Sequence, residues 1–516
     1  MTKRRTRLRG MATLAAGALA WLAVAPAMAG GWILAESEHF TLHSSAQESV
    51  TREYLQQLEA FRWLSMKLLG ADEKSVRAQA RFDIYLLEGE RALHALRPDL
   101  PDNAAGLYTY CAEGAVAYAT KASRLGPDGW DWGRLVLQHE YAHHLMFQYG
   151  TMAYPSWYVE GFAEYMGTAA LENGTISLGG PHEARLPILA TPPWLPFDEV
   201  LRWNSRQSGA SSRFEVERFY AQAWLLTHYM LSDDKRAQQL AAYFSRAGDG
   251  DDPVKAFEAA TGIAVADLQR LLEHYRRALP MVKVRSQEMP QPAIRTTKLD
   301  DDAAGYALDA SLLRTCPKPA PGQAVLERLR LQAQKSASVD PTLTLVLARA
   351  ETMFGDPAAA VRMLEGAVSA DNAPAEAHYL LARALTRQAE KLAGDEQRAA
   401  QEQARSHLFK AYRLKKDDAP TLHHLARALA EKGIDQNVVN AARAARLLAP
   451  SVGDYAVFEA RADLGVGDRE HAIRALVPLA TDSHQPERAA RMRQAIDAIR
   501  GGKSAGEVAS MMNPPP

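Results

Sequence analysis

His139-Glu140-Tyr141-Ala142-His143 governs how the first half of this chain is read. It has the pattern H-E-x-x-H and lies in a run of helical character, with Trp132 to Gln138 before it and His144 to Phe147 after it. Residues four apart share one face of a helix, so both imidazoles reach one metal ion. Glu140 follows the first histidine directly, where a carboxylate can take a proton from a water beside that ion. His144 points about 100° away from His143 on the helix and is not expected to be a ligand. Two imidazoles do not complete a zinc site, so a third protein ligand has to come from elsewhere.

Downstream stands Pro155-Ser156-Trp157-Tyr158-Val159-Glu160-Gly161-Phe162-Ala163-Glu164-Tyr165. Gly150 and Pro155 suit a turn, and Pro155 or Ser156 suits a helix start. A helix, a turn and a returning helix carry Glu160 back to the two histidines. Two neutral imidazoles and one carboxylate then make a three-ligand site with a fourth position for water. Glu164 lies one turn further on the same face, where it can hold a ligand imidazole by its other N–H.

H-E-x-x-H followed by W-x-x-E-G-x-A-E-Y resembles the gluzincin metallopeptidases, the thermolysin-like and M1-aminopeptidase-like clan. The resemblance implies Zn2+ held by His139, His143 and Glu160, with Glu140 as general base in the hydrolysis of a peptide bond. It also implies an edge strand ahead of the histidine helix that binds extended substrate by strand addition; Gly114, Ala115, Val116, Ala117 and Tyr118 are expected to be that strand. M1 enzymes carry G-x-M-E-N there, whereas this chain has Gly114-Ala115-Val116-Ala117-Tyr118, which favours an endopeptidase over an aminopeptidase. Clan members place a phenol or imidazole against the developing oxyanion, a role that falls to Tyr220 first and His228 second.

The chain has 516 residues, 47% hydrophobic and 23% charged, with a formal net charge of −1, which fits more than one soluble domain. Residues 1–29 read as a secretory signal peptide. Lys3, Arg4, Arg5, Arg7 and Arg9 precede an apolar run from Met11 to Val24 and Ala27-Met28-Ala29. Removing those five positive charges from −1 leaves −6, with no basic stripe for nucleic acid. No later stretch is apolar and long enough to span a membrane. The expected location is periplasmic or secreted. Cys111 and Cys316 are left open, as a disulfide or as two free thiols.

The expected organisation is an α+β zincin-like peptidase domain over 30–283, with a small mixed sheet and the motif helices. Leu107-Tyr108-Thr109-Tyr110 and Ala115 to Ala119 form hairpin arms around Glu113-Gly114, and polar Asn204 to Ser212 is a candidate lid. A Pro-rich connector follows over 284–335, marked by Pro290, Pro292, Pro317, Pro319, Pro321 and the acidic Asp300-Asp301-Asp302. Over 336–500 the chain repeats. Leu347-Ala348-Arg349-Ala350, Leu381-Ala382-Arg383-Ala384, Leu425-Ala426-Arg427-Ala428 and Glu459-Ala460-Arg461-Ala462 stand at a spacing of about 34 residues, the period of tetratricopeptide (TPR) repeats. About ten extra residues fall across Glu390 to Gln403, as a lengthened helix or loop. The resemblance implies an all-α solenoid whose groove takes a peptide or a partner protein. A disordered tail is expected over 501–516. Together these predict a zinc peptidase with a recruiting repeat region. The alternative is a catalytically silent peptidase-fold scaffold acting through its groove.

Overall fold

The computed structural model describes residues 31–513 except 71–80, 101–103, 105, 122–131, 150–153, 204–211, 249–250, 286–288, 290, 336–339, 371 and 483–484. The expected signal peptide, nearly all of the candidate lid, the turn at Gly150 and the end of the tail lie outside the described residues.

A mixed sheet and its helices come first, and a helical-repeat region follows. Strands β1 (Trp32–Glu36), β2 (Phe40–Ser44), β3 (Phe82–Leu87), β4 (Gly106–Cys111) and β5 (Gly114–Thr120) come first; β2 alternates in burial as a half-buried strand does, β3 and β5 are buried almost throughout, and β4 is half-buried along its length. Strands β6 (Ala170–Glu172), β7 (Thr175–Leu178) and β8 (Val282–Arg285) form a small second sheet. The main sheet is completed by β9 (Arg295–Leu299) in the order β4-β5-β3-β2-β1-β9. Helix Glu48–Leu68 buries Leu55, Leu58, Phe61 and Leu64 against this sheet, as its apolar periodicity predicts.

Three expectations are corrected here. Gly114–Tyr118 does not form an edge, because β5 pairs with β4 on one side and with β3 on the other (Ile84 opposite Ala117). Its ladder is used on both sides, so it cannot accept a substrate strand; the edge of the sheet on this side is β4, and the other edge is β9. The connector over 284–335 is largely structured. Its β9 pairs with β1 from Trp32–Leu299 to Glu36–Arg295, so the first domain extends past 283. Its helices Asp301–Arg314 and Pro319–Lys335 form a pair. The acidic Asp300-Asp301-Asp302 is a helix start: Asp300 accepts from Ala303 N, and the next two acids complement the helix dipole. Pro319 and Pro321 lie in a first turn, where a missing N–H costs nothing. Leu312, Leu313, Leu326 and Leu329 of this pair pack on Leu343 and Leu347 of the next helix.

The third correction is the tail. Helix Ala505–Met512 starts with a capping box between Ser504 and Glu507 and buries Val508 and Met512 against Met492 and Ile496. Between these ends lie Pro341–Phe354 with Pro357–Val368, Ala375–Ala389 with Gly394–Leu414, Ala419–Ala430 with Gln436–Leu448, and Gly453–Gly465 with Arg469–Ala480. The ten extra residues lengthen one helix, Gly394–Leu414, at its start. Asp340, Asp356, Asp418, Asp435 and Asp468 cap five of these helices. Pro486–Arg500 pairs with the tail helix.

Candidate metal centre

The histidine helix, Trp132–Tyr149, is fixed by the face opposite His139 and His143. Tyr141 packs between Phe40 and Phe82, with ring centroids 5.2 and 5.3 Å away, and Ala142 and Leu145 are fully buried. His139 and His143 therefore face the glutamate helix, Ser156–Gly167, every residue of which is buried. That helix is pressed on its far side against the tyrosine helix, Arg213–Met230. The contact is made at Gly161, where an added Cβ would lie 2.3 Å from Thr227 Oγ1 and 2.4 Å from Ala223 O. Glycine in the E-G pair is thus a packing requirement that keeps Glu160 at the depth of the imidazoles.

His139 Nε2 and His143 Nε2 are 3.1 Å apart, and Glu160 Oε2 is 3.5 Å from the first and 3.4 Å from the second. A tetrahedral ion with ligand bonds of about 2.0–2.1 Å holds its ligand atoms roughly 3.3 Å apart. The three atoms thus have the size and donor chemistry of one face of a zinc tetrahedron. No other trio of histidine, cysteine or acidic side chains converges this way among the described residues. Burial disfavours the charged form of His139, but Glu160, Glu164 and Glu140 outweigh it and push its pKa up to about 9. The site is one that demands positive charge.

Glu164 Oε1 lies 3.5 Å from His139 Nδ1, the ring nitrogen turned away from the centre. The carboxylate is itself held by Arg185 (Nη2 at 2.6 Å, Nε at 3.0 Å) and by His182 Nε2 at 2.7 Å. Arg185 also pairs with Glu217. Burial would raise the pKa of Glu164, yet Arg185, His182 and His139 hold it far below the usual carboxylate range. Sequence reasoning missed His182 and Arg185. They lie beyond β7 in irregular chain, with no periodic pattern to flag them.

Tyr220 stands beside His139, ring centroids 6.3 Å apart, with the Arg185 guanidinium 5.2 Å over its ring. Burial and then the charges of Glu160, Glu164 and Glu140 drive its phenol pKa well up, so it stays a protonated donor. His228 does not join this group. Eight residues on, about 12 Å along the helix, its Nδ1 meets Tyr275 OH and its Nε2 meets Gly179 O, both at 2.8 Å. His144 stacks on Tyr141 and faces Tyr108 OH at 3.3 Å, outside the trio.

Glu140 and His143 open onto a cleft of about 250 Å³. Along it runs β4, through Tyr108, Thr109 and Tyr110; across it stand Ser451, Leu479, Asp482 and Arg488 of the repeat region. Glu113 is aimed elsewhere. At the β4–β5 turn, its carboxylate accepts from Arg349 Nη1 (3.0 Å), Arg383 Nε (3.0 Å) and Tyr379 OH (2.6 Å), with His424 Nε2 at 3.5 Å. Tyr455 OH donates to Ala112 O at 3.0 Å, and Cys111 is disulfide-bonded to Cys316. The first helices of four successive repeats therefore converge on one hairpin tip. The repeat groove expected to receive a partner is filled at this point by the chain's own β4–β5 turn. Beside it remains a polar cavity of about 610 Å³, lined by Arg81, Asp83, Arg314 and Glu376 among others.

No family model matches this chain, and no curated protein does. Among solved structures, the chain is similar to the crystal structure of a thermophilic TPR protein from Thermus thermophilus. The identity is 17%, over 38% of this chain and 98% of that one, with a TM-score of 0.31. So loose a likeness decides nothing about the fold, and the repeat architecture rests on the helix pairs themselves.

Proposed function

We propose that this chain is a zinc-dependent peptidase with a zincin-like first domain of the gluzincin kind and a TPR-like second region. The observation that carries the reading is the triangle of His139 Nε2, His143 Nε2 and Glu160 Oε2, with sides of 3.1, 3.4 and 3.5 Å. These three residues would hold the ion. When bound, zinc supplies Lewis acidity that brings a water's pKa to near 7 and polarises the scissile carbonyl. Glu140, on the cleft wall, takes the proton of the attacking water and returns it to the leaving amine. Tyr220 donates to the developing oxyanion. Glu164, braced by Arg185 and His182, fixes the orientation of His139. The substrate is a peptide lying along the β4 edge, where unpaired backbone groups can extend the sheet.

An exported location, periplasmic or secreted, is part of this reading. It is supported by the character of residues 1–29 and by the Cys111–Cys316 disulfide, which belongs to an oxidising compartment. No helix among the described residues is long and apolar enough to cross a membrane.

The test is metal analysis of the purified protein with a peptide-library cleavage assay, with and without chelator. About one zinc per chain and chelator-sensitive cleavage that is lost in Glu140→Gln, with zinc retained, are expected. Cleavage of equal rate in Glu140→Gln, or a protein that takes up no metal, refutes the proposal.

A further inference from the structure

The cleft has two walls that come from opposite ends of the chain. One carries Glu140, His143 and β4; the other belongs to the last repeats. The walls are joined directly. Tyr108 OH donates to Ser451 Oγ at 2.6 Å, while Gln485 Nε2 and Arg488 Nη2 donate to Tyr110 OH at 3.0 and 3.2 Å. A peptide lying along β4 must therefore pass under the repeat region. The recruiting role expected of the repeats becomes, on this geometry, a role inside the site.

Arg488 is the only lysine or arginine among the described residues that line the cleft. Its guanidinium lies flat against the backbone at Gly453, where an added Cβ would fall 2.5 Å from Nη1. A side chain there would push the guanidinium out of this position. Nη2 is shared between Tyr110 OH and Asp482 Oδ2, the latter at 3.3 Å, a long contact for a charge-assisted bond. Nε is buried and has no hydrogen-bond partner among the described residues. A guanidinium is a planar fork that matches a carboxylate with two bonds, and here that fork is half used. A carboxylate entering the cleft can accept from the guanidinium in a charge-assisted bond stronger than the long contact to Asp482.

Resting on the peptidase reading, we propose that the helical repeats are the specificity wall of the cleft. Arg488 is its selecting residue, receiving a carboxylate of the peptide substrate, either an acidic side chain or the free chain terminus.

The experiment uses the full-length, zinc-loaded protein and labelled peptides that differ only by Glu against Gln at successive positions, each with a free or an amidated C-terminus. Binding is read by fluorescence anisotropy on the Glu140→Gln protein, and kcat/KM is read on the otherwise unaltered one. One carboxylate position is expected to improve binding and kcat/KM about tenfold or more, through KM. In Arg488→Gln that ratio falls to about one. In Arg488→Lys, which keeps the charge and loses the fork, it takes an intermediate value, and this variant decides the matter if Arg488→Gln does not fold. The two kinds of carboxylate are told apart by which peptide pair shows the preference. Absence of any acid preference, or an undiminished preference in the Arg488 variants, overturns the proposal and leaves Arg488 as a brace between Tyr110 and Asp482. Selective binding without cleavage of any peptide would sink the peptidase reading and leave the recognition standing.

Discussion

Glu113 accepts a hydrogen bond from Arg349 Nη1 at 3.0 Å although 236 residues separate them in the chain. The bond joins the tip of the β4–β5 hairpin to the first repeat, and Arg383 and Tyr379 of the next repeat close on the same carboxylate. Because β4 is also the strand along the cleft, the clamp sets the position of the β4 edge relative to both walls.

Removing the carboxylate leaves Arg383 without its opposite charge and Arg349 with Glu376 alone, at 3.3 Å, beside a buried point. Glu113→Gln is expected to lower stability by about 3 kcal/mol, read from the denaturant midpoint. The pH dependence has a definite sign. Burial raises the Glu113 pKa, but Arg383, His424 and Arg349 bring it well below 4.5. A carboxylate depressed on folding stabilises above its unfolded pKa and loses that contribution as pH falls through the folded value. The gap between native and Glu113→Gln protein should stay constant from about pH 7 down to about 4.5 and shrink below it. A gap that instead grows with acidification would show that the clamp does not carry this charge.

Gly161 lies where the glutamate helix touches the tyrosine helix. Gly161→Ala would place a methyl group 2.3 Å from Thr227 Oγ1, so the helices must part. Overpacking of this kind costs about 1–3 kcal/mol. Since Glu160 precedes it, zinc content should fall along with the thermal midpoint. Unchanged metal content at a lowered midpoint would mean that the centre tolerates the helix displacement.

The convergence of His139, His143 and Glu160 is legible in the sequence because its logic is local. His139 and His143 share a helical face by periodicity, and Glu160 and Glu164 do so on the returning helix. What escapes a sequence reading is set by distant pairing. The two hairpin arms look alike in sequence, and only the pairing of Ile84 with Ala117 makes β5 the inner one and β4 the edge. Prolines at 317–321 suggest a linker, yet two of them occupy the first turn of a helix. The repeat arginines look like markers of a period, yet two of them, Arg349 and Arg383, share a target, Glu113, in another domain.

Glu164 is buried against Arg185 and His182 and faces the outer nitrogen of His139. Glu164→Gln should weaken zinc binding about 10–100-fold, measured by competition with a chromogenic chelator. An unchanged affinity would reduce Glu164 to a structural counter-ion of Arg185.

Tyr220 is within 6.3 Å of His139, ring to ring, and carries a phenol whose ionisation is suppressed by burial and by the neighbouring carboxylates. A hydroxyl kept protonated near a developing negative charge stabilises it without a proton leaving the donor. Losing one such donor slows turnover by about 10²–10³-fold. Tyr220→Phe keeps the ring that lies under Arg185, so zinc content and thermal midpoint should hold while kcat falls and KM changes little. Were the phenol only a packing element, the same substitution would leave kcat intact. A drop confined to KM would assign Tyr220 to substrate binding instead.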